Sequence, residues 1–495
     1  MADFTAPASN AGSVRDDTLS IKPMVALGLV ILADWLFYNE YIGISAAIFA
    51  AALACGSVFV NFAKLDRKRI ATAGIFVLAS LVPAIEEFNT LSLAFMAAAL
   101  GVGLSLTTNR HLDSVGQQAS ALCELYLIAP FRLLRDSIGV FNLLAAGFTL
   151  WFIPVILGSI FVFLFASANP LIAKWISVLN PGDTSSYVSV SRILFWVTIS
   201  SMIWPFIKVW WRRKPEATPD PAEIVPQEQE AISPGIDLFG AATILRSLIL
   251  FNLLFAVQTV LDIAYLWGNA TLPADIGYAE YAHRGAYPLI VTALLAAGFV
   301  LAAMRPGGPA EQSKVIRPLV YLWVGQNVLL VASSILRLDL YVQIYLLTWW
   351  RVAAFIWKQL VAFGLLLIVA RIALNRSNEW LIRANGIVLA ATLYVCSLVN
   401  FSAVIADYNV DHSREVAGKG IQVDMNYLLH LGPQALPAID RAIQLRGADP
   451  ALVSRRDSLV EQQRNDMASW RAWGFRSWRL QRTLDAQQQS SAASR

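Results

Sequence analysis

Charge is the scarcest property of this chain. Asp, Glu, Lys and Arg make up 15% of its 495 residues, against about 25% in a typical soluble domain, which excludes a water-soluble globular fold for most of the length. Histidine occurs four times and cysteine three times. Cys55, Cys123 and Cys396 are far apart, without the spacing of a disulfide framework or a thiolate metal site, so they read as small packing residues. A zinc-type His/Cys grouping, a Gly-rich phosphate loop and a nucleophile elbow are all missing. Soluble-enzyme chemistry is therefore not indicated, and neither a metal nor a cofactor is expected. The net charge is only +4, and the basic residues cluster in short loops, so no nucleic-acid partner is expected.

Apolar residues fill the rest: 57% of the chain is hydrophobic and its mean hydropathy is +0.56. A bilayer-crossing helix needs roughly 20 mostly apolar residues, and by that ruler the chain holds about eleven. The expected fold is all-α, a polytopic transmembrane helix bundle followed by a small helical extramembrane domain. A polar tail at 1–22 precedes about six spans within 23–211, a Pro- and Glu-rich linker at 212–236, about five spans within 237–406, and the helical domain at 407–495. The first apolar run, Pro23 to Tyr38, lacks a small-residue cleavage site and reads as an uncleaved span. Lys64, Arg67, Lys68, Arg69, Arg212, Arg213 and Lys214 all fall in loops on the side of the N-terminus, while Glu86 and Glu87 fall opposite. Basic loops stay in the cytoplasm, so the N-terminus is expected inside and, with an odd number of spans, the C-terminal domain outside.

Two further segments have readable patterns. Over 117–135, Leu122, Leu125 and Leu127 with flanking Arg132 and Arg135 suit a helix lying in the inner membrane interface, or a plain amphipathic connector. Near the C-terminus, Asp449-Pro450 predicts an N-cap with proline at the first helical position. Trp470, Trp473 and Trp478 with Arg471, Arg476 and Arg479 then predict an aromatic, basic helix that either presses on the membrane or packs its Trp face on its neighbours.

Charged side chains inside a span cost about 2.5 to 3.5 kcal/mol each, so they face a bundle interior or a wet cavity. Gln258, Asp262 and Tyr265 share one face of the seventh span by i, i+4, i+7 spacing. Arg351 and Lys358 share a face of the tenth, with the lysine about 10 Å deeper. Asn327 and Ser334 repeat that spacing in the ninth, and Arg337 with Asp339 follows at its outer end. The segment Tyr278 to Pro288, YAEYAHRGAYP, places Glu280, His283 and Arg284 directly before an uncharged apolar run, Leu289 to Met304. Asp262, Tyr278, Glu280, His283, Arg284, Asn327, Arg337, Arg351 and Lys358 are thus expected at one leaflet, in a shared polar pocket at the outer face. There, arginines would clamp a carboxylate or phosphate, while Asp262 or Glu280 with His283 would exchange a proton. The competing reading is a set of internal ion pairs that fix helix register, Asp262 with Arg351 for example.

Three stretches carry a family resemblance: Tyr278 to Leu301, Tyr341 to Arg351, and Ala406 to Asp440, where a Tyr-Asn pair in ADYNVDHS precedes the Asp-x-x-Tyr-Leu element of VDMNYLLHLGPQALPAID. From about Asp237 onward the chain resembles the bacterial polytopic membrane family known as domain of unknown function 4173, a relative of family 4153. The resemblance implies a multi-pass protein of the bacterial inner membrane, and it supplies neither a substrate nor a catalytic residue. Three functions remain open. One is a transporter-like carrier with an anionic or lipid ligand. Another is an envelope enzyme acting on a lipid-linked or anionic substrate. The third is a sensor or scaffold whose C-terminal domain binds an envelope partner.

Overall fold

The computed structural model describes residues 18–62, 65, 67–108, 115–133, 161, 189–209, 241–264, 291, 295, 298, 299, 313–447 and 449–493. Among these residues all regular structure is helical, and the chain divides into two bodies: residues 1–214 with 469–473, and residues 215–468 with 474–495.

The first body holds α1 (Thr18–Phe37), α2 (Ile44–Asn61), α3 (Arg67–Glu86), α4 (Thr90–Thr108), α5 (Val115–Cys123) and α6 (Val190–Ile207). Small residues set its packing. Ala46, Ala47 and Ala50 of α2 are buried with Leu81 and Ala84 of α3 and Met96 of α4, which lets the backbones approach where no water-driven collapse assists. Asn89 caps the turn between α3 and α4, its Oδ1 accepting from the amides of Leu91 and Ser92 at 3.0 Å each. The last carbonyls of α6 have no intrahelical donor; Ser57 Oγ donates to Phe206 O at 2.7 Å and Asn61 Nδ2 to Ile207 O at 3.2 Å.

The stretch expected to be amphipathic is helical as α5, followed by a π-turn over Glu124–Ile128 and a 3₁₀ turn over Ala129–Phe131. Leu125 and Tyr126 pack on the α1, α2 and α6 core, while Leu127, Ile128 and Phe131 stay exposed.

Residues 469–473 seat on the turn between α1 and α2. The Ile44 amide donates to Trp473 O at 2.8 Å, Arg471 pairs with Glu40 at 2.7 Å, and the Arg471 guanidinium lies over Trp35 and Trp470. Gly43 is what permits the approach, because a Cβ there would overlap the Ala472 carbonyl. Gly43→Val should therefore unseat residues 469–473, read as a gain in protease cleavage at Arg471 while the rest of the chain stays intact; an unchanged digest would refute this.

The second body builds its membrane part from α7 (Ala241–Asp262), α8 (Ile316–Tyr345), α9 (Trp349–Ala373) and α10 (Asn378–Leu398). α8 is central. Its 30 residues span about 45 Å, longer than a hydrocarbon core of about 30 Å, so its end reaches beyond the lipid tails. Trp323 is fully buried among Phe251, Phe255 and Phe299. The apolar run expected to continue as one span to Ala406 divides instead: α10 ends at Leu398, Val399 is extended, and Asn400 caps α11 (Phe401–Asp411) by accepting from the Ala403 amide at 3.2 Å.

Five more helices follow: α12 (Arg414–Ala417), α13 (Met425–His430), α14 (Leu436–Arg446), α15 (Pro450–Asp466) and α16 (Phe475–Ala493). Asp449 caps α15 with proline at its start, as the sequence predicts. The core of this part, around Ile405, Leu428 and Ile439, is continuous with Leu338 and Val342 of α8 and with Leu347.

Among the described residues eight helices, α2, α3, α4, α6, α7, α8, α9 and α10, are long and apolar enough to cross a bilayer. α1 occupies the place of the first expected span. The fifth and eighth expected spans, Val140 to Ala166 and Ala286 to Met304, and the linker lie outside the described residues, apart from isolated positions. The chain is a multi-pass membrane protein.

Candidate functional site

α8 turns a polar stripe toward the bundle interior: Asn327, Ser334 and Arg337 are all buried on it. Arg337 pairs with Asp262 at the end of α7, and Gln258, one turn back on the same helix, donates to Asp262 Oδ1 at 2.9 Å. From α9, Lys358 is 1% exposed and its Nζ donates to Ser334 O at 2.5 Å. Among the described residues no carboxylate pairs with Lys358, and the charge that acts on it is the like charge of Arg337. Asp262 Oδ2, Ser334 Oγ and Asn327 Oδ1 are buried without a hydrogen-bond partner among the described residues. Each such orphan costs about 1 to 3 kcal/mol, so the cluster is under-satisfied as it stands.

The structure thus brings together Asp262, Arg337 and Lys358, with Asn327 deeper on the same stripe. Asp262 pairs with Arg337 and not with Arg351. Arg351 instead caps the end of α8, donating to Tyr345 O at 2.5 Å and to Leu346 O, with its guanidinium 4.7 Å from the Tyr341 ring centroid. A cation at a helix C-terminus complements the unsatisfied carbonyls there. Tyr265, Tyr278, Glu280, His283 and Arg284 lie outside the described residues.

Beside this cluster the chain makes a sharp elbow between α8 and α9. Leu346 has φ 63° and ψ −177°, a region that is essentially reserved for glycine and costs a side-chain-bearing residue about 1 to 3 kcal/mol. Its buried side chain offsets that cost by an amount of similar size. The C-terminal helices hold the elbow in place. Asn409 Oδ1 accepts from the Leu347 amide at 2.6 Å, Asn409 Nδ2 donates to Leu347 O at 2.9 Å, and Tyr427 Oη accepts from the Trp349 amide at 2.9 Å. Asp424, in turn, caps the helix that carries Tyr427, at 3.0 Å. Burial pushes the Tyr408 hydroxyl above its usual range, with Asp339 adding to the effect. Trp350, 86% exposed, marks the elbow as the interfacial end of α9.

Residues 48–442 match the family described as Domain of unknown function (DUF4153). The chain belongs to this family. The sequence resemblance pointed to the relative 4173 from about Asp237 onward; the match is to 4153, and it begins upstream, within α2. No curated protein and no solved structure is similar to the chain. The elbow explains why two of the three stretches that carried the resemblance go together: Tyr341 to Arg351 forms the elbow, and the Tyr-Asn and Asp-x-x-Tyr-Leu elements supply Asn409, Asp424 and Tyr427.

Sequence reading missed a second charge pair between helices, half-buried, in the first body. Asp34 of α1 accepts from Arg192 Nε and Trp196 Nε1 of α6 at 2.8 Å each. Tyr38 Oη shares hydrogen bonds with Ser189 Oγ at 2.8 Å and Ser191 Oγ at 3.0 Å. The available signal was one acidic residue in the first apolar run and one basic residue opening the sixth, both toward the same leaflet. This group is well satisfied and reads as a clasp between α1 and α6. No set of His, Cys, Asp and Glu side chains among the described residues is arranged to hold a metal ion.

Proposed function

We propose that this protein is a carrier of the bacterial inner membrane that binds an anion, free or as a lipid headgroup, at Arg337 and Lys358. The observation that carries the reading is Lys358, a buried lysine within a membrane bundle whose described neighbours offer a carbonyl and another cation but no carboxylate. Among the described residues Lys358 has no counter-charge of its own, and burying such a charge is expensive. An arriving carboxylate or phosphate would supply the missing counter-charge and compete with Asp262 for Arg337. The acid–base alternative pairs Asp262 or Glu280 with His283, and both Glu280 and His283 lie outside the described residues.

The positive-inside distribution supports a cytoplasmic N-terminus and an extracytoplasmic C-terminal domain, with the elbow at the outer interface. Lys358, seven residues into α9 from Arg351, then lies about 10 Å deeper. The C-terminal helices, by fixing the elbow, set how α8 and α9 meet and so the distance from Arg337 to Lys358.

The test is flux in proteoliposomes, with inorganic phosphate in one arm and fluorescent phosphatidylglycerol in the other, which separates a free anion from a lipid headgroup. Lys358→Gln should lower flux by at least about tenfold, the factor that corresponds to one charge-assisted contact, while Lys358→Arg keeps most of it. A folded Lys358→Gln protein with full flux in both arms would rule the reading out.

A further inference from the structure

α16 carries two faces of different chemistry. Arg476, Leu480 and Leu484 fall on one, all buried; Leu480 and Leu484 pack on Leu436 and Val460. The other is a stripe at i, i+3, i+4 and i+7: Phe475, Trp478, Arg479 and Arg482. Phe475, Arg479 and Arg482 are exposed on it. The Arg479 guanidinium lies 4.8 Å from the Phe475 ring centroid and that of Arg482 lies 5.1 Å from Trp478, with the two rings stacked at 5.6 Å. From Trp470 to Leu484 the sequence holds arginines and no acidic residue.

One contact fixes where this helix begins: Arg476, in its first turn, donates to Ser397 O at the end of α10, at 3.3 Å. Ser397 stands at the end of a membrane-crossing helix, so the start of α16 lies at a bilayer surface.

From this geometry we infer that the stripe of α16 binds the anionic headgroups of the surrounding bilayer. A guanidinium held over an aromatic ring can present N–H donors to a phosphate oxygen pair, while the ring itself favours the headgroup level. Charge complementarity and position select the occupant: a basic, acid-free stripe at the membrane surface meets phospholipid phosphate at high local concentration. This site is distinct from the buried Arg337 and Lys358 cluster and does not depend on the carrier reading.

Hydrogen–deuterium exchange on the full-length protein tests it, in nanodiscs of phosphatidylcholine alone and in discs doped with phosphatidylglycerol. The anionic discs should slow exchange over 475–482 by up to about thirtyfold, the factor two arginines near an anionic surface supply. High salt should reverse the effect, and the R479Q/R482Q double variant should lose it while α14 and α15 exchange as before. Equal exchange in the two discs would overturn the proposal and leave the stripe to an acidic protein segment. Slowing that survives in the double variant would overturn it as well.

Discussion

Asp262→Asn should cripple folding far more than removal of the whole ion pair. The substitution takes the Asp262 charge away from the buried Arg337 guanidinium, and breaking a buried pair by removing one partner costs about 3 to 5 kcal/mol, enough to consume much of the stability of a typical protein. Replacing both partners, as Asp262→Asn with Arg337→Met, removes the charge that needs compensating and should recover most of the loss. Thermal unfolding in detergent, followed by size-exclusion of the fluorescent-tagged protein, reads the order directly: wild type and double variant close together, single variant well below. Additive losses in the double variant would show that Asp262 and Arg337 do not act as a pair. The placement of both side chains in the interior, 2% and 4% exposed, is what makes the expected effect large. A surface pair such as Arg441 with Asp407 should show almost none of it.

The elbow gives the second large effect. Asn409→Ala strips the Leu347 amide and carbonyl of their partners at once, in a position that is buried. Two orphaned backbone groups cost about 2 to 6 kcal/mol, added to a Leu346 conformation that is already strained. Tyr427→Phe, by contrast, drops one bond to the Trp349 amide at an exposed position and should cost less than about 1 kcal/mol. Limited proteolysis of the 401–493 helices, compared across the two variants, distinguishes them: rapid release for Asn409→Ala and near wild-type resistance for Tyr427→Phe. Equal resistance would mean that the elbow is held by the apolar core around Leu338, Val342 and Leu347 rather than by Asn409.

The sequence made some of this legible and hid the rest for identifiable reasons. Membrane spans are readable because lipid demands long apolar helices, and eight of the expected runs are such helices. Local pairings are readable too: Gln258 with Asp262 follows from helical spacing, and Asp449-Pro450 announces its own helix start. Partner choice across helices is not. Arg337 and Arg351 both sit toward the elbow ends of their helices, and only the packing of α7 against α8 decides that Asp262 takes the former. Nor does periodicity reveal that Asn409 reaches Leu347, since the contact spans 62 residues. Leu346 is the clearest silent case, because a leucine in a glycine conformation carries no turn signal. The division of the last apolar run at Val399 did have one, in the capping side chain of Asn400.

The most direct measurement on the central proposal is ligand-induced stabilisation of the purified, full-length protein, because a ligand that binds only the folded state raises stability by about 2.7 kcal/mol at a hundredfold excess over its dissociation constant. Inorganic phosphate and short-chain phosphatidylglycerol are titrated separately against wild type, Lys358→Arg and Lys358→Gln. The carrier account predicts a rising melting temperature with one of the two ligands for wild type and Lys358→Arg, and a flat response for Lys358→Gln. An equal rise in Lys358→Gln, or none in any of the three proteins, would contradict it.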